Sequence, residues 1–225
     1  MKILFKYATR SRPFSFKEGL HSIIDNVKSM DYNIMITYDT DDETMKGVEI
    51  PICNVIMNPG TSISKIHAIN RGLQYGGNWD ILVCMSDDMR FIQKHFDMEI
   101  REDMKFRFPD LDGCLHYPDQ YQGENCMTMS IMGRKYFERQ GFIYDPRFES
   151  LWCDIVEQEK ATIAGKRRYI EKRLFDHLHP SFNGKPYDAQ LQKTESWEVR
   201  QRDYQTYLNC KKEYDPTNIY PIRGI

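Results

Sequence analysis

The chain has 225 residues, of which 40% are hydrophobic, 28% charged and 13% aromatic. That mix excludes a disordered or low-complexity polymer and leaves room for one large domain or a core with an appendage. Its 31 Lys+Arg against 33 Asp+Glu leave a net charge of -2, so no global field draws a polyanion, and a nucleic-acid partner would need a local basic patch.

In chain order, residues 3–7 read as a first strand, and Pro13 and Ser15 open a helix whose apolar positions Phe16, Leu20, Ile23, Ile24 and Val27 recur at three and four residues. Residues 33–38 form a second strand and 50–57 a third. Residues 58–62 (Asn-Pro-Gly-Thr-Ser) are a turn that caps the helix carrying Ile66, Ile69 and Leu73, which Gly76-Gly77 closes. Residues 80–85 are read as a fourth strand, in which 81–85 are continuously apolar, as a strand buried on both faces requires.

The second half is less regular. Strands are expected at 111–117, 127–132 and 168–174, helices from Arg134 and over 152–164, and a charged terminal helix over 187–208. Alternation of strands with helices predicts an α/β class, a single Rossmann-like, mostly parallel sheet flanked by helices with a helical C-terminal extension. The expected division is a main unit over 1–180 and a helical extension over 181–225.

No apolar run approaches the roughly 20 residues that span a bilayer, and the chain opens directly on Lys2-Ile-Leu-Phe-Lys6 without a signal-peptide pattern. The cysteines (Cys53, Cys84, Cys114, Cys126, Cys153, Cys210) form no C-x-x-C pair and mostly sit in apolar runs. The expectation is a cytoplasmic protein with reduced thiols, no zinc site and no membrane segment.

Ser86-Asp87-Asp88 ends the fourth strand, at the edge where open α/β sheets place their ligands. Carboxylates there suit a hard cation, Mn²⁺ or Mg²⁺, bridging substrate phosphates, although the same pair also makes ordinary turns. Asp39, ending the second strand, can accept from a pyrimidine N–H. Thr9, Arg10 and Arg12 after the first strand can bind ribose or phosphate through hydroxyl and charge-assisted hydrogen bonds.

The series Thr9-Arg10-Ser-Arg12-Pro13, then Asp39-Thr-Asp41-Asp42, then Ser64-Lys65 through Asn70-Arg-Gly72, then Ser86-Asp87-Asp88 resembles the nucleotide-sugar half of family 2 glycosyltransferases, which have the A-type glycosyltransferase fold. The resemblance covers about residues 1–180. It implies donor contacts for Asp39, Asp41, Lys65, Asn70 and Asp87, and metal contact for Asp88 in the place of the family's D-x-D. Ser86 stands where that triplet has its first carboxylate. Further on, Glu149-Ser-Leu-Trp-Cys153-Asp154 lies where the family carries an acidic pair supplying the base for the acceptor hydroxyl. Here Cys153 replaces one acid, and Asp154 remains as the candidate base. Many enzymes of this fold take a further metal ligand from a downstream histidine, which singles out His177 and His179 in Asp176-His-Leu-His179-Pro180. His21, His67, His95 and His116 read as ordinary histidines.

The reading is a metal-dependent, inverting glycosyltransferase moving a sugar from a nucleoside-diphosphate sugar, with UDP favoured, to an acceptor hydroxyl. DNA is a possible acceptor if the basic cluster Lys166, Arg167, Arg168, Lys172 and Arg173 is a phosphate patch. Two other classes stay open. One is a nucleotidyltransferase, against which stands the absence of a Gly-rich loop after the first strand. The other is a non-catalytic sugar- or nucleotide-binding module, kept open by Ser86 and Cys153.

Overall fold

The structure, a computed structural model, describes residues 1–48, 50 and 54–214. Strands β1 (Ile3–Ala8), β2 (Tyr32–Asp39), β3 (Val55–Gly60) and β4 (Ile81–Met85) are mutually parallel neighbours in the order β3-β2-β1-β4. The sheet is extended by β6 (Cys114–His116), β7 (Ile131–Gly133) and β8 (Arg167–Tyr169) to seven strands, β7 running antiparallel to both neighbours. β5 (Met89–Phe91) and β9 (Phe175–His177) form a separate two-stranded antiparallel ribbon.

The period-2 side-chain alternation of the strands divides the core into two layers. Ile3, Phe5 and Tyr7 of β1 face helix α1 (Pro13–Ile24) and helix α3 (Phe96–Arg107), while Leu4 faces helices α2 (Lys65–Asn70) and α5 (Cys153–Ile163). Phe5 is fully buried and packs edge-on against Tyr32, Phe91 and Phe96. Phe5→Ala is therefore expected to destabilise the fold by about 3–5 kcal/mol, through lost transfer energy and the cavity left behind. A urea melt within about 1 kcal/mol of wild type would contradict that packing.

Several elements differ from the expected ones for identifiable reasons. β3 continues through the expected turn at 58–60, which is possible because it is the edge strand, where Pro59 costs no ladder bond on the open side. Residues 51–53 of the expected third strand lie outside the described residues, as do 49 and 215–225. Ser64, rather than the 58–62 turn, caps α2 by accepting from the His67 N–H at 3.0 Å. Helix α2 stops before Leu73 because Gly72 takes φ +84°, with the Asn58 amide packed where a Cβ would stand.

The expected strand at 168–174 is strand only at its start, where β8 ends at Tyr169; 170–174 are irregular, and β9 begins just beyond, in the other sheet. The expected terminal helix is α7 (Ala189–Thr194) and α8 (Trp197–Glu213), preceded by a short α6 (Pro180–Asn183). It breaks because Asp188 and Ser196 each cap a helix start, accepting from the Leu191 and Val199 N–H groups. Helix α8 is held to the core by Asp203, which is fully buried and accepts from the backbone N–H groups of Glu149, Ser150 and Leu151.

Candidate active site

Strand order reverses between β1 and β4, and the C-terminal ends of these two strands open the crevice where doubly wound sheets bind ligands. Thr9 leaves β1 and Ser86-Asp87-Asp88 leaves β4 at this point. Two cavities lie there, one of 230 Å³ and one of 540 Å³, and both are lined by Lys65, Ser86 and Asp88.

The smaller cavity collects Thr9, Arg10, Arg12, Asp39, Asp41 and Asp87. Arg10 donates to Asp39 Oδ2 at 2.5 Å and to both oxygens of Asp41 at 2.8 and 3.0 Å. Asp39 is buried, and among the described residues its Oδ1 has no hydrogen-bond partner, only the Arg71 guanidinium at 3.5 Å. An unbonded buried acceptor in a cavity is a ready partner for a ligand N–H. Burial pushes the Asp87 carboxyl up to about 7, against the pull of Thr9 and Arg12. Arg12 reaches the extension, donating to both oxygens of Asp188 at 2.7 Å.

The larger cavity is a cleft lined by Asp88, Asp154, His177 and His179, with Trp152, Glu195 and Arg200. Pairing of β9 with β5 sets His177 opposite Met89, and the Leu178 N–H donates to the Asp88 carbonyl at 2.7 Å. The ring therefore arrives beside Asp88: His177 Nε2 lies 3.4 Å from Asp88 Oδ2, and its Nδ1 lies 3.2 Å from Asp119 Oδ2. Burial opposes charge on this ring, but the hydrogen bonds and charges of Asp119 and Asp88 outweigh it and raise the pKa to about 9. Asp88 responds in kind. Burial would push its carboxyl up, yet His177, with Lys65 and the Ser86 hydroxyl, holds it well below the usual range.

His179 goes elsewhere. Its Nδ1 accepts from the Ser181 N–H at 3.3 Å as the cap of α6, and its Nε2 lies 3.1 Å from Glu195 Oε1. Only His177 of the two histidines faces Asp88. Asp154 opens α5, with Oδ1 accepting from the Ile155 N–H at 2.9 Å and Oδ2 from the Cys126 thiol at 3.3 Å. Cys153 turns into the core instead.

No protein-family model and no curated relative matches the chain. Solved structures do. The mannosyltransferase PcManGT from Pyrobaculum calidifontis, in complex with GDP-Man and Mn²⁺, superposes with TM-score 0.59 at 13% identity over 76% of this chain and 54% of its own. S. aureus TarS 1-349 in complex with UDP superposes with TM-score 0.62 at 12% identity over 97% of this chain and 74% of its own. The fold is that of the A-type glycosyltransferases. The chain spans about half the length of the mannosyltransferase.

Within this A-type fold, the structure brings Thr9, Arg10, Arg12, Asp39, Asp41, Lys65, Asp87 and Asp88 to one cavity, and Asp154 and His177 to the cleft that adjoins it. Asn70 is not among them. Its amide donates to the Tyr144 carbonyl at 2.6 Å and its Oδ1 accepts from the N–H groups of Ile143 and Tyr144, so it braces a loop. Arg71, Asp119, Glu195 and Arg200 are site residues that the sequence reading passes over. The first flanks Asp39, the second orients His177, and the last two come from the extension.

The basic cluster is largely spent on neighbours. Lys166 pairs with Asp112 at 2.7 Å, Arg167 with Glu124 at 2.9 Å and Lys172 with Glu99 at 2.7 Å, while Arg168 lies over the Phe108 ring. Cys84, Cys114, Cys126, Cys153 and Cys210 are free and buried, and Cys53 lies outside the described residues. Among the described residues, no helix is long and apolar enough to cross a membrane.

Asp88 and His177 fit a divalent cation. They present one carboxylate and one imidazole to the same point, with Asp119 fixing the ring from behind, as outer-shell carboxylates do for metal-bound histidines. Among the described residues no three His, Cys, Asp or Glu side chains converge on one metal position. A cation at this point would draw its remaining positions from phosphate and water, the habit of Mg²⁺ and Mn²⁺ sites.

Proposed function

We propose that the chain is a metal-dependent, inverting glycosyltransferase that takes its sugar from a nucleoside diphosphate, UDP first, and passes it to an acceptor hydroxyl. The observation that carries this reading is the place of Asp88, shared by the cavity that collects Thr9, Arg10, Arg12 and Asp39 and by a cleft that holds a second carboxylate, Asp154. Asp39 Oδ1 would accept the base N–H and Lys65 would bring a cation toward the phosphates, while Arg10 and Arg12, already held by Asp39, Asp41 and Asp188, would reach a phosphate only by sharing those bonds. Asp88 and His177 would hold a divalent ion, which offsets the negative charge of the departing nucleoside diphosphate. Asp154 takes the acceptor proton as the acceptor oxygen bonds to the anomeric carbon and the bond to the diphosphate breaks on the opposite face, inverting that carbon. The paired basic cluster gives DNA no special claim as the acceptor.

The test is a thermal-shift series with UDP and GDP, with Mn²⁺ and with chelator. Saturation at 100 times Kd is worth about 2.7 kcal/mol and is expected only when metal is present. Equal stabilisation in excess chelator would sink the metal claim.

The His177 surroundings add a pH prediction. An unperturbed imidazole would bind metal fully above about 6.5, but this ring keeps its proton up to about 9. Mn²⁺ affinity of the metal-free protein is thus expected to climb with pH, by up to about tenfold per unit, until that point, because binding must expel the proton. In the metal-free fold the sign is opposite. The raised pKa stabilises fully below the unfolded value near 6.5, and that contribution fades as pH rises through about 9. A break in Mn²⁺ affinity at about pH 6.5 would contradict the double hydrogen bonding of His177.

A further inference from the structure

The carboxylate assigned as base has an uncommon partner. Asp154 Oδ2 accepts from the Cys126 thiol at 3.3 Å, and Oδ1 from the Ile155 N–H at 2.9 Å. Cys126 is 7% exposed and lines the same cleft as Asp154. It sits on a braced loop. Asp119 Oδ1 accepts from the Tyr121 and Gln122 N–H groups at 2.8 and 2.5 Å, and the Asn125 N–H donates to the Gln122 carbonyl at 3.0 Å. The Gln158 amide then ties the Asn125 carbonyl to α5 at 3.1 Å. Burial and the neighbouring Asp154 raise the thiol's pKa far above its ordinary value, so it stays protonated and is the donor of the pair.

We propose that Cys126 is a positioning residue for the acceptor base, donating its S–H to Asp154 and holding the carboxylate in the orientation that meets the acceptor hydroxyl. The inference rests on the reading of Asp154 as base. A thiol suits this task because it is a weak donor. A strong donor on a carboxylate stabilises the charged form and lowers its basicity, whereas no donor leaves the side chain free to turn. The S–H orients Asp154 at a smaller cost in basicity than a hydroxyl or amide donor would exact.

The two natural substitutions should therefore move the acid limb of the pH–rate profile in opposite directions. Cys126→Ala removes the donor, so the limb moves to higher pH and kcat falls about tenfold with KM unchanged. Cys126→Ser supplies a stronger donor, so the limb moves to lower pH. The other groups near Asp154 are Cys153 and Tyr144. Lys65, Asp88, His177, His179, Glu195 and Arg200 also line the cleft, and all stay as they are in both variants.

The assay is release of nucleoside diphosphate from UDP-glucose, UDP-N-acetylglucosamine, UDP-galactose or GDP-mannose, with water as acceptor, and Asp154→Asn is run alongside. An inactive Asp154→Asn with displaced limbs in the Cys126 variants supports the proposal. An inactive Asp154→Asn with wild-type rate and pH profile in both Cys126 variants overturns it while leaving the base assignment standing. A fully active Asp154→Asn removes the base assignment and the proposal with it. Should Cys126→Ala fail to fold, Cys126→Ser decides alone: a limb shifted to lower pH supports, an unmoved limb overturns.

Discussion

Asp88→Asn is expected to abolish the Mn²⁺-dependent part of nucleoside-diphosphate binding and to lower sugar transfer by about a thousandfold or more. The substitution keeps the size of the side chain and the hydrogen bond from Ser86 has an oxygen to find, so folding should survive. What disappears is the negative charge that faces His177 Nε2 at 3.4 Å and would face the cation. A neutral amide is a poor partner for a hard dication, and His177 alone gives one nitrogen. The Asp39 end of the smaller cavity is untouched, so metal-free binding should be no weaker than in wild type. Calorimetric titration of UDP with and without Mn²⁺ separates the two parts. A variant whose UDP affinity still rises with Mn²⁺ as in wild type would place the cation elsewhere.

Asp154→Asn should do the reverse, keeping Mn²⁺-linked nucleotide binding and losing transfer. A positioned general base contributes typically about 10²–10⁴-fold, so a fall of about a thousandfold in kcat is expected at neutral pH. The amide oxygen that replaces the carboxylate would still accept from the Ile155 N–H, so the start of α5 is kept. Wild-type turnover in this variant would mean that Asp154 only favours the helix N-terminus, where any acid is stabilised by the macrodipole. The two variants together split the chemistry into a leaving-group half and an acceptor half. A single common defect in both would mean that the cavities do not work as two.

Both variants address residues that could be named without coordinates, and the reason is local. Asp88 follows a run, β4 (Ile81–Met85), in which every side chain is buried, so an acid at its end stands out as an edge residue. Asp154 is the acid in the first turn of α5. Helix α3 shows the opposite case. Its buried stripe, Phe96, Ile100 and Met104, repeats every fourth residue, but charges fill the positions between. Two of these, Asp97 and Arg101, are themselves buried as an ion pair, which blurs the polar face. The stripe was there to be read by spacing. The end of β8 at Tyr169 and the start of β9 only at Phe175 were not, because where an extended segment pairs depends on which strand edges are free nearby.

By itself, the sequence determined the parallel β1–β4 core, the carboxylates at its edge and the residue types, Thr9, Arg10, Arg12, Asp39 and Asp41, that gather beside them. Continuous apolar runs must be buried on both faces, and the ends of such strands gather at one edge. Only the tertiary structure decided which histidine meets Asp88. His177 and His179 look equivalent two residues apart, but β9 pairs with β5 and brings one ring to Asp88, while the start of α6 takes the other to Ser181 and Glu195. It also decided that the extension walls both cavities through α7 and Arg200, and that Cys126 meets Asp154 across 28 positions of chain. Hydrogen bonds between groups so far apart are set by how the loops return to the sheet. A spacing rule carries no information about that return, because it reads only neighbours along one element.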